Sequence, residues 1–142
     1  MQITRFDMTG ASEFETALKS LGTSVATKIG VQAVRASGEA LQEAWQHAAP
    51  YDPQRRGDRQ YGHLRENIKV QRRGTANPNV IAFRVTTGDA FWAYFYEFGT
   101  AKQPARPIFR GAVESMRDTL ISIQTGTLRK GIEAAMSNRG KA

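Results

Sequence analysis

The sequence contains no cysteine among its 142 residues, which excludes a disulfide framework, a thiolate nucleophile and a zinc finger. Only two histidines are present, His47 and His63, and neither has a partner at metal-ligand spacing. A P-loop, a Gly-x-Ser-x-Gly motif and a His-Glu-x-x-His motif are also absent. We therefore predict no cofactor, no metal ion and no catalytic residue.

Long apolar runs are absent as well. No stretch approaches the roughly 20 residues that a membrane-spanning helix needs, and residues 1–7 lack the apolar core of a signal peptide. The mean hydropathy is −0.48. We expect a soluble protein without membrane contact, and the length favours a single domain over residues 1–142.

Positive charge is plentiful and unevenly placed. The net charge is +7, and between residues 54 and 73 seven cations stand against two acids. Such a patch can attract a polyanion, but an arginine-rich solvated surface is an equally good interpretation. The seven cations are Arg55, Arg56, Arg59, Arg65, Lys69, Arg72 and Arg73.

Helical periodicity dominates the first third of the chain. A capping box that starts at Ser12 predicts a short helix ending at Leu21, within an N-terminal segment 1–22. Apolar residues then recur at spacings of three and four over residues 23–48, which predicts one long helix. Pro50 ends it, because the residue before a proline disfavours helical geometry.

The middle of the chain reads as loop and sheet. Residues 51–63 form a polar, basic loop, and residues 64–70 begin a strand or a turn into one. Residues 74–79 read as a hairpin loop, and residues 80–86 and the aromatic segment 91–98 read as strands. Apolar residues on both faces of segment 91–98 suggest a central strand.

The sequence of the last third of the chain predicts a helix. Pro107 suits its first turn, Gly126 is a candidate end or kink, and a frayed tail follows over residues 137–142. The fold class is therefore α+β. We expect a long N-terminal helix and a C-terminal helix packed on a small, mainly antiparallel sheet of three to four strands.

Glu97 is the one acid inside the aromatic segment. It could act as a general base, pair with Arg106 or Arg110, or cap a turn. Structural pairing is favoured, because no second catalytic group lies nearby in sequence. A hydrolase or nuclease that uses Glu97 or Asp52 is a weaker hypothesis, since a single Asp makes a poor metal site.

The aromatic residues of segment 91–98 lie apart from the arginines in sequence. Stacking on nucleic acid bases needs exposed aromatic rings interleaved with cations. Segment 91–98 is poor in cations, so we predict that most of its rings belong to the core.

Three motifs resemble one family. They read Ala49-Pro50 followed by Gly62-His63-Leu64-Arg65-Glu66-Asn67-Ile68, then Tyr94-Phe95-Tyr96-Glu97-Phe98-Gly99-Thr100, then Ala105-Arg106-Pro107-Ile108-Phe109-Arg110-Gly111-Ala112. Their order and spacing resemble the neck, or tail-completion, proteins of long-tailed bacteriophages, also described as minor tail or head–tail joining proteins. Asn67 stands where that family usually has Ser, and Gly111 where it has Pro.

The resemblance implies a non-enzymatic virion protein at the head–tail junction, assembled in the host cytoplasm as a homo-oligomeric ring. Implied partners are other copies of the chain, head-connector proteins and tail-terminator or tail-tube proteins, with non-specific contact to passing DNA. A basic nucleic-acid-binding module is the alternative. Residues expected at a subunit interface are Glu97, Phe98, Gly99, Thr100, Lys102, Arg106 and Arg110. Residues expected to line a basic lumen or meet a partner are Arg55, Arg56, Arg59, Arg65, Arg72 and Arg73.

Overall fold

Two helices separated by one glycine open the described part of the chain. The computed structural model describes residues 12–77 and 80–140. Helix α1 comprises Ser12–Leu21 and α2 comprises Thr23–Ala48. Gly22 between them has a φ of 88°, which glycine adopts without a Cβ penalty. Both helix predictions are confirmed, and Ala49 is extended before Pro50 as expected.

Some expectations fall on residues that the structure does not describe. These are the capping contacts of the Ser12 side chain, the signal-peptide argument on residues 1–7, part of the hairpin loop 74–79, and the last two residues of the tail.

The sheet has two strands within the described residues, where three to four were predicted. One turn of 3-10 helix, Leu64–Asn67, leads into β1, Lys69–Arg73. Strand β1 pairs antiparallel with β2, Ala82–Thr86, so that Val70 lies opposite Val85. The predicted sheet was too large because the aromatic segment does not join it.

Segment 91–98 contains a helix, and the prediction of a central strand was wrong. After the turn at Gly88, helix α3 comprises Ala93–Phe98. Ala90, Ala93 and Glu97 are buried, at spacings of three and four, which is one face of a helix. Aromatic residues favour strands only as a context-dependent preference, and burial of this face outweighs it.

The C-terminal helix α4 comprises Ile108–Gly140 and follows Pro107 directly. Gly126 neither ends nor interrupts it. Residues 137–140 are part of this helix, and the frayed tail over residues 137–142 stays a prediction.

Helices α2 and α4 lie antiparallel along each other. Near one end, a Cβ added to Gly131 would lie 2.8 Å from the Ile29 side chain, so the backbone of α4 approaches α2 closely there. Near the middle, Gln124 donates a buried hydrogen bond of 2.8 Å to Ser37. This polar pair separates two apolar clusters, one centred on Ile29, Ala33, Leu128 and Ile132 and one on Leu41, Trp45, Ile68, Val85, Phe109 and Leu120.

The antiparallel packing of α2 and α4 places several connecting segments at the same end of the molecule. Both strands pack on α2, while α4 packs principally along α2 rather than on the sheet as predicted. The rings of Trp45 and Phe109 lie 4.8 Å apart, so α4 begins beside the end of α2. The loop 51–63, helix α3 and the segment 99–107 therefore gather at one end of the molecule.

Candidate functional site

Helix α3 and the residues before it expose four aromatic side chains. Phe91, Tyr94, Phe95 and Phe98, here called the aromatic surface, are 58%, 51%, 46% and 53% exposed. The rings of Phe91 and Phe95 lie 6.3 Å apart, and those of Tyr94 and Phe98 stack at 5.8 Å. Large apolar side chains exposed together usually mark an interaction site. The prediction that most of these rings belong to the core was wrong.

The opposite face of α3 fixes the helix through Glu97, whose side chain is fully buried. The carboxylate accepts hydrogen bonds from the backbone N–H groups of Phe109, at 3.2 and 3.3 Å, and of Arg110, at 3.4 and 3.5 Å. The Arg110 guanidinium lies 3.9 Å away. A negative charge is favourable at this position because α4 begins there with unpaired N–H groups and a positive dipole end.

Glu97 is therefore a structural residue that joins α3 to α4. Of the two partners considered, Arg106 and Arg110, it is Arg110 that pairs with Glu97, and its guanidinium also donates to the Glu97 carbonyl oxygen at 3.3 Å. Since the carboxylate is buried within the chain, it is not free to make the contact with a neighbouring subunit that was expected from the sequence.

A tight loop connects the two helices. In this 99–106 loop, Thr100 and Gln103 exchange backbone hydrogen bonds of 2.8 and 3.3 Å, and the backbone N–H of Arg106 donates to the Tyr96 carbonyl oxygen at 2.6 Å. Lys102 and Arg106 are exposed. Within the described residues, neither of their side chains has an ion-pair partner. The loop thus presents two free cations next to the aromatic surface.

Gly99 is the position that makes the loop possible. Its φ is 77°, and a Cβ there would lie 2.7 Å from the Ala105 nitrogen and 2.9 Å from the Gln103 oxygen. We expect Gly99→Ala to lower the free energy of unfolding by about 2 kcal/mol, because the strained φ and the clash add. Urea denaturation measures this. Gly111→Ala is the matched control, since a Cβ there meets nothing within 4 Å and should stabilise α4 by up to about 1 kcal/mol. Equal effects of the two substitutions would contradict the role of Gly99.

The six arginines predicted to act together lie in separate places. The hairpin that carries Arg72 and Arg73 reaches back along α2, so that Ile81 contacts Gly30. At 1.5 Å per residue, Gly30 lies about 27 Å from Ala48, where the 51–63 loop approaches. These arginines therefore form at least two groups rather than one patch.

Four arginines belong to the 51–63 loop region. Arg55 pairs with Asp52 at 3.6 Å, and the Arg65 guanidinium lies over the Tyr51 ring at 3.2 Å from its centre. Arg56 and Arg59 are exposed, and no ion pair engages them in the part of the chain that the structure describes. Fewer of these arginines are therefore free to bind a partner than the composition suggests.

An open cleft of about 640 Å³ lies between the 51–63 loop and the start of α3. Its lining brings together Arg55, Arg56, Leu64, Phe91, Trp92 and Tyr96. Sequence reasoning missed this cleft, because its two walls lie about 30 residues apart in the chain. The spacing of Ala90, Ala93 and Glu97 by three and four residues was the available sequence signal that this segment is helical and exposes Phe91.

Across residues 12–77 and 80–140, no cluster of three or more His, Asp or Glu side chains could hold a metal ion. None of the helices in these ranges combines the length and apolarity that crossing a membrane requires.

A family model matches more than half of the chain. Residues 12–99 match the family model "HK97-gp10_like: Bacteriophage HK97-gp10, putative tail-component". The matched range runs from α1 to Gly99, so it includes the first sequence motif and all of the second except Thr100, and it ends before the third. Neither the curated proteins nor the solved structures gave a match.

Proposed function

Because the chain belongs to the HK97-gp10-like family of bacteriophage tail components, we propose that it is a structural protein of the head–tail junction. In this proposal it assembles in the host cytoplasm as a homo-oligomeric ring that helps join the tail to the head. A tail component is a part of the virion. The ring and its position at the neck are our proposal.

The observation that carries the proposal is the aromatic surface beside a rigid cationic loop. A ring needs two different surfaces on each subunit, which meet head to tail. The first is formed by the aromatic surface and the 99–106 loop. Aromatic residues and arginine are the side chains most enriched at the centres of interfaces.

We propose the exposed face of α2 as the second surface. Exposed residues recur along α2 at positions 28, 32, 35, 39 and 43. The last two, Glu39 and Glu43, make the end of this face acidic, and Glu39 has no ion pair within the described residues. Lys102 and Arg106 of one copy complement these carboxylates on the next, and an arginine can bind a carboxylate through two hydrogen bonds.

A charge exchange tests this pairing. We expect Arg106→Glu to prevent assembly onto purified tails, because the loop then meets Glu39 with like charge. Arg106→Glu combined with Glu39→Arg should restore assembly. Negative-stain electron microscopy counts tails that carry the ring. Arg129→Glu, an exposed substitution on α4 away from the loop, is the control. Normal assembly of Arg106→Glu alone would exclude the loop from the interface.

A non-enzymatic role is supported by the use of Glu97. Its carboxylate is engaged by two backbone N–H groups and lies inside the protomer. A general base needs a free lone pair within reach of substrate. Glu97, the acid considered as a general base in the sequence analysis, therefore serves to fix the 99–106 loop.

The proposal gives the arginines two uses. Arg55, Arg56, Arg59 and Arg65 meet a neighbouring head-connector, tail-terminator or tail-tube protein, since they lie at the same end as the aromatic surface. Arg72 and Arg73 lie on β1 opposite Phe83 and Ala82, so no carboxylate faces them across the hairpin. We propose that these two contact passing DNA without sequence preference.

A further inference from the structure

The cleft between the 51–63 loop and α3 has one apolar wall. Phe91 is more than half exposed and stands edge-on to Trp92, with ring centres 5.3 Å apart. Tyr96 and Leu64 extend this wall. An open cavity of about 640 Å³ lined by aromatic rings can take one or two apolar side chains of a ligand.

The facing wall carries one cation that is free for a ligand. Asp52 pairs with Arg55, and the Asp58 carboxylate accepts the backbone N–H groups of Gln60 and Tyr61 at 2.9 and 3.0 Å. Both carboxylates are thereby engaged within the loop. Arg56 lines the cleft without a hydrogen bond or ion pair in the described residues. Of the two arginines in the lining, only Arg56 thus has a guanidinium that no other described residue engages.

This balance of charge disfavours nucleic acid. The cleft lining contains two arginines and two aspartates, so a phosphate backbone would meet as many carboxylates as guanidinium groups. Neutralisation of several phosphates drives most non-specific nucleic acid binding. A ligand with one carboxylate beside an apolar side chain fits the cleft better.

We propose that the cleft binds a peptide segment of a neighbouring virion protein, in which an aromatic or aliphatic residue adjoins an acidic one. The apolar side chain enters between Phe91, Trp92 and Tyr96, and the carboxylate pairs with Arg56, which can form two parallel hydrogen bonds. The inference rests on the proposed function only in naming a virion protein as the source of the segment.

Two synthetic peptides test the inference on the isolated protein. One is the blocked hexapeptide Gly-Glu-Phe-Asp-Leu-Gly, and the other replaces its acids with Gln and Asn. Trp92 lines the cleft and the second tryptophan, Trp45, is 1% exposed, so quenching of tryptophan fluorescence reports occupation. We expect the acidic peptide to bind about tenfold more tightly than its amide counterpart.

Two variants locate the effect. Arg56→Gln should remove the preference for the acidic peptide and leave the weak binding of the amide peptide. Phe91→Ser should weaken both peptides, whereas Arg59→Gln, a neighbouring arginine outside the cleft lining, should change neither. These side chains are exposed, so the variants should fold like the parent protein.

Equal affinity of the two peptides, or a preference that survives Arg56→Gln, would overturn the inference. A single-stranded 12-nucleotide DNA that displaces the acidic peptide at equal concentration would assign the cleft to nucleic acid instead. The measurement does not depend on ring assembly. Absence of rings on purified tails with peptide binding intact would therefore contradict the proposed function and leave the cleft proposal standing.

Discussion

Replacement of Glu97 by glutamine is expected to lower the free energy of unfolding by about 2–3 kcal/mol. The substitution preserves the shape of the side chain and removes its charge. The carboxylate is fully buried, faces two backbone N–H groups at the start of α4 and lies 3.9 Å from Arg110. An amide offers one acceptor to these donors and turns its own NH₂ group toward them. The buried N–H groups then lose part of their hydrogen bonding.

Urea denaturation gives the change in unfolding free energy, and two further variants serve as comparisons. Arg110→Gln should cost only about 1 kcal/mol, because this side chain is half exposed and water screens its pairing with Glu97. Glu114→Gln, an exposed acid on the same helix, should stay within about 0.5 kcal/mol of the parent protein.

Loss of the Glu97 carboxylate should also loosen the 99–106 loop. Lys102 is a trypsin site within it, whereas the bond from Arg106 to Pro107 resists trypsin, so limited proteolysis should cut after Lys102 faster in Glu97→Gln than in Glu114→Gln. A Glu97→Gln protein as stable as the parent would show that packing alone holds α3 against α4.

The long helices could be predicted from sequence because their periodic signal is long. The bounds of α2, residues 23–48, follow from Gly22 and Pro50 together with apolar residues at spacings of three and four. These local signals agree with the tertiary packing, since Ile29, Ala33, Leu41 and Trp45 of this stripe are buried. Such elements can be predicted from sequence because the local helical preference agrees with the tertiary packing.

The aromatic segment could not be read correctly in the same way. Eight residues rich in Phe, Tyr and Trp satisfy a strand pattern as well as a helical one, and short apolar runs do not distinguish the two. What decides the outcome is the burial of Ala93 and Glu97 against α4. That choice depends on residues 108–110, which lie beyond the segment in sequence.

Part of the candidate site could be predicted from the sequence. Structural pairing of Glu97 was predicted because no catalytic partner lay nearby, and Arg110 was one of two partners considered. The cleft could not be predicted from the sequence, because its walls meet only when the antiparallel α2–α4 pair brings residues 51–64 next to residues 91–96. Sequence distance hides contacts of this kind.

Substitution of both Tyr94 and Phe98 by serine is expected to abolish head–tail joining while the protein remains folded. Both rings are about half exposed, and they stack on each other at 5.8 Å. Each aromatic residue at the centre of an interface contributes about 2 kcal/mol or more to binding. In the proposed ring, loss of two such residues would weaken each subunit contact by about 4 kcal/mol, or roughly a thousandfold. A ring repeats that loss at every contact.

Complementation of a phage that lacks this gene measures the effect. Plaque-forming particles should fall at least about a hundredfold, which is below the loss in a single contact because assembly occurs at high local concentration. Electron microscopy should show filled heads and tails that are not joined. The folding cost should stay near 1 kcal/mol, mainly from the contact of Arg110 with the Phe98 ring at 4.7 Å.

Val25→Ser combined with Met136→Ser is the matched control for the aromatic surface. These two side chains are also exposed and apolar, but they lie at the opposite end of the α2–α4 pair. If exposed apolar area as such stabilised the particle, both double variants would reduce the titre alike. If the aromatic surface is the interface, only Tyr94→Ser with Phe98→Ser does so. A normal titre for that variant would show that the aromatic surface has no role in assembly, and the 99–106 loop and the cleft would then be the candidate contact surfaces at this end of the molecule.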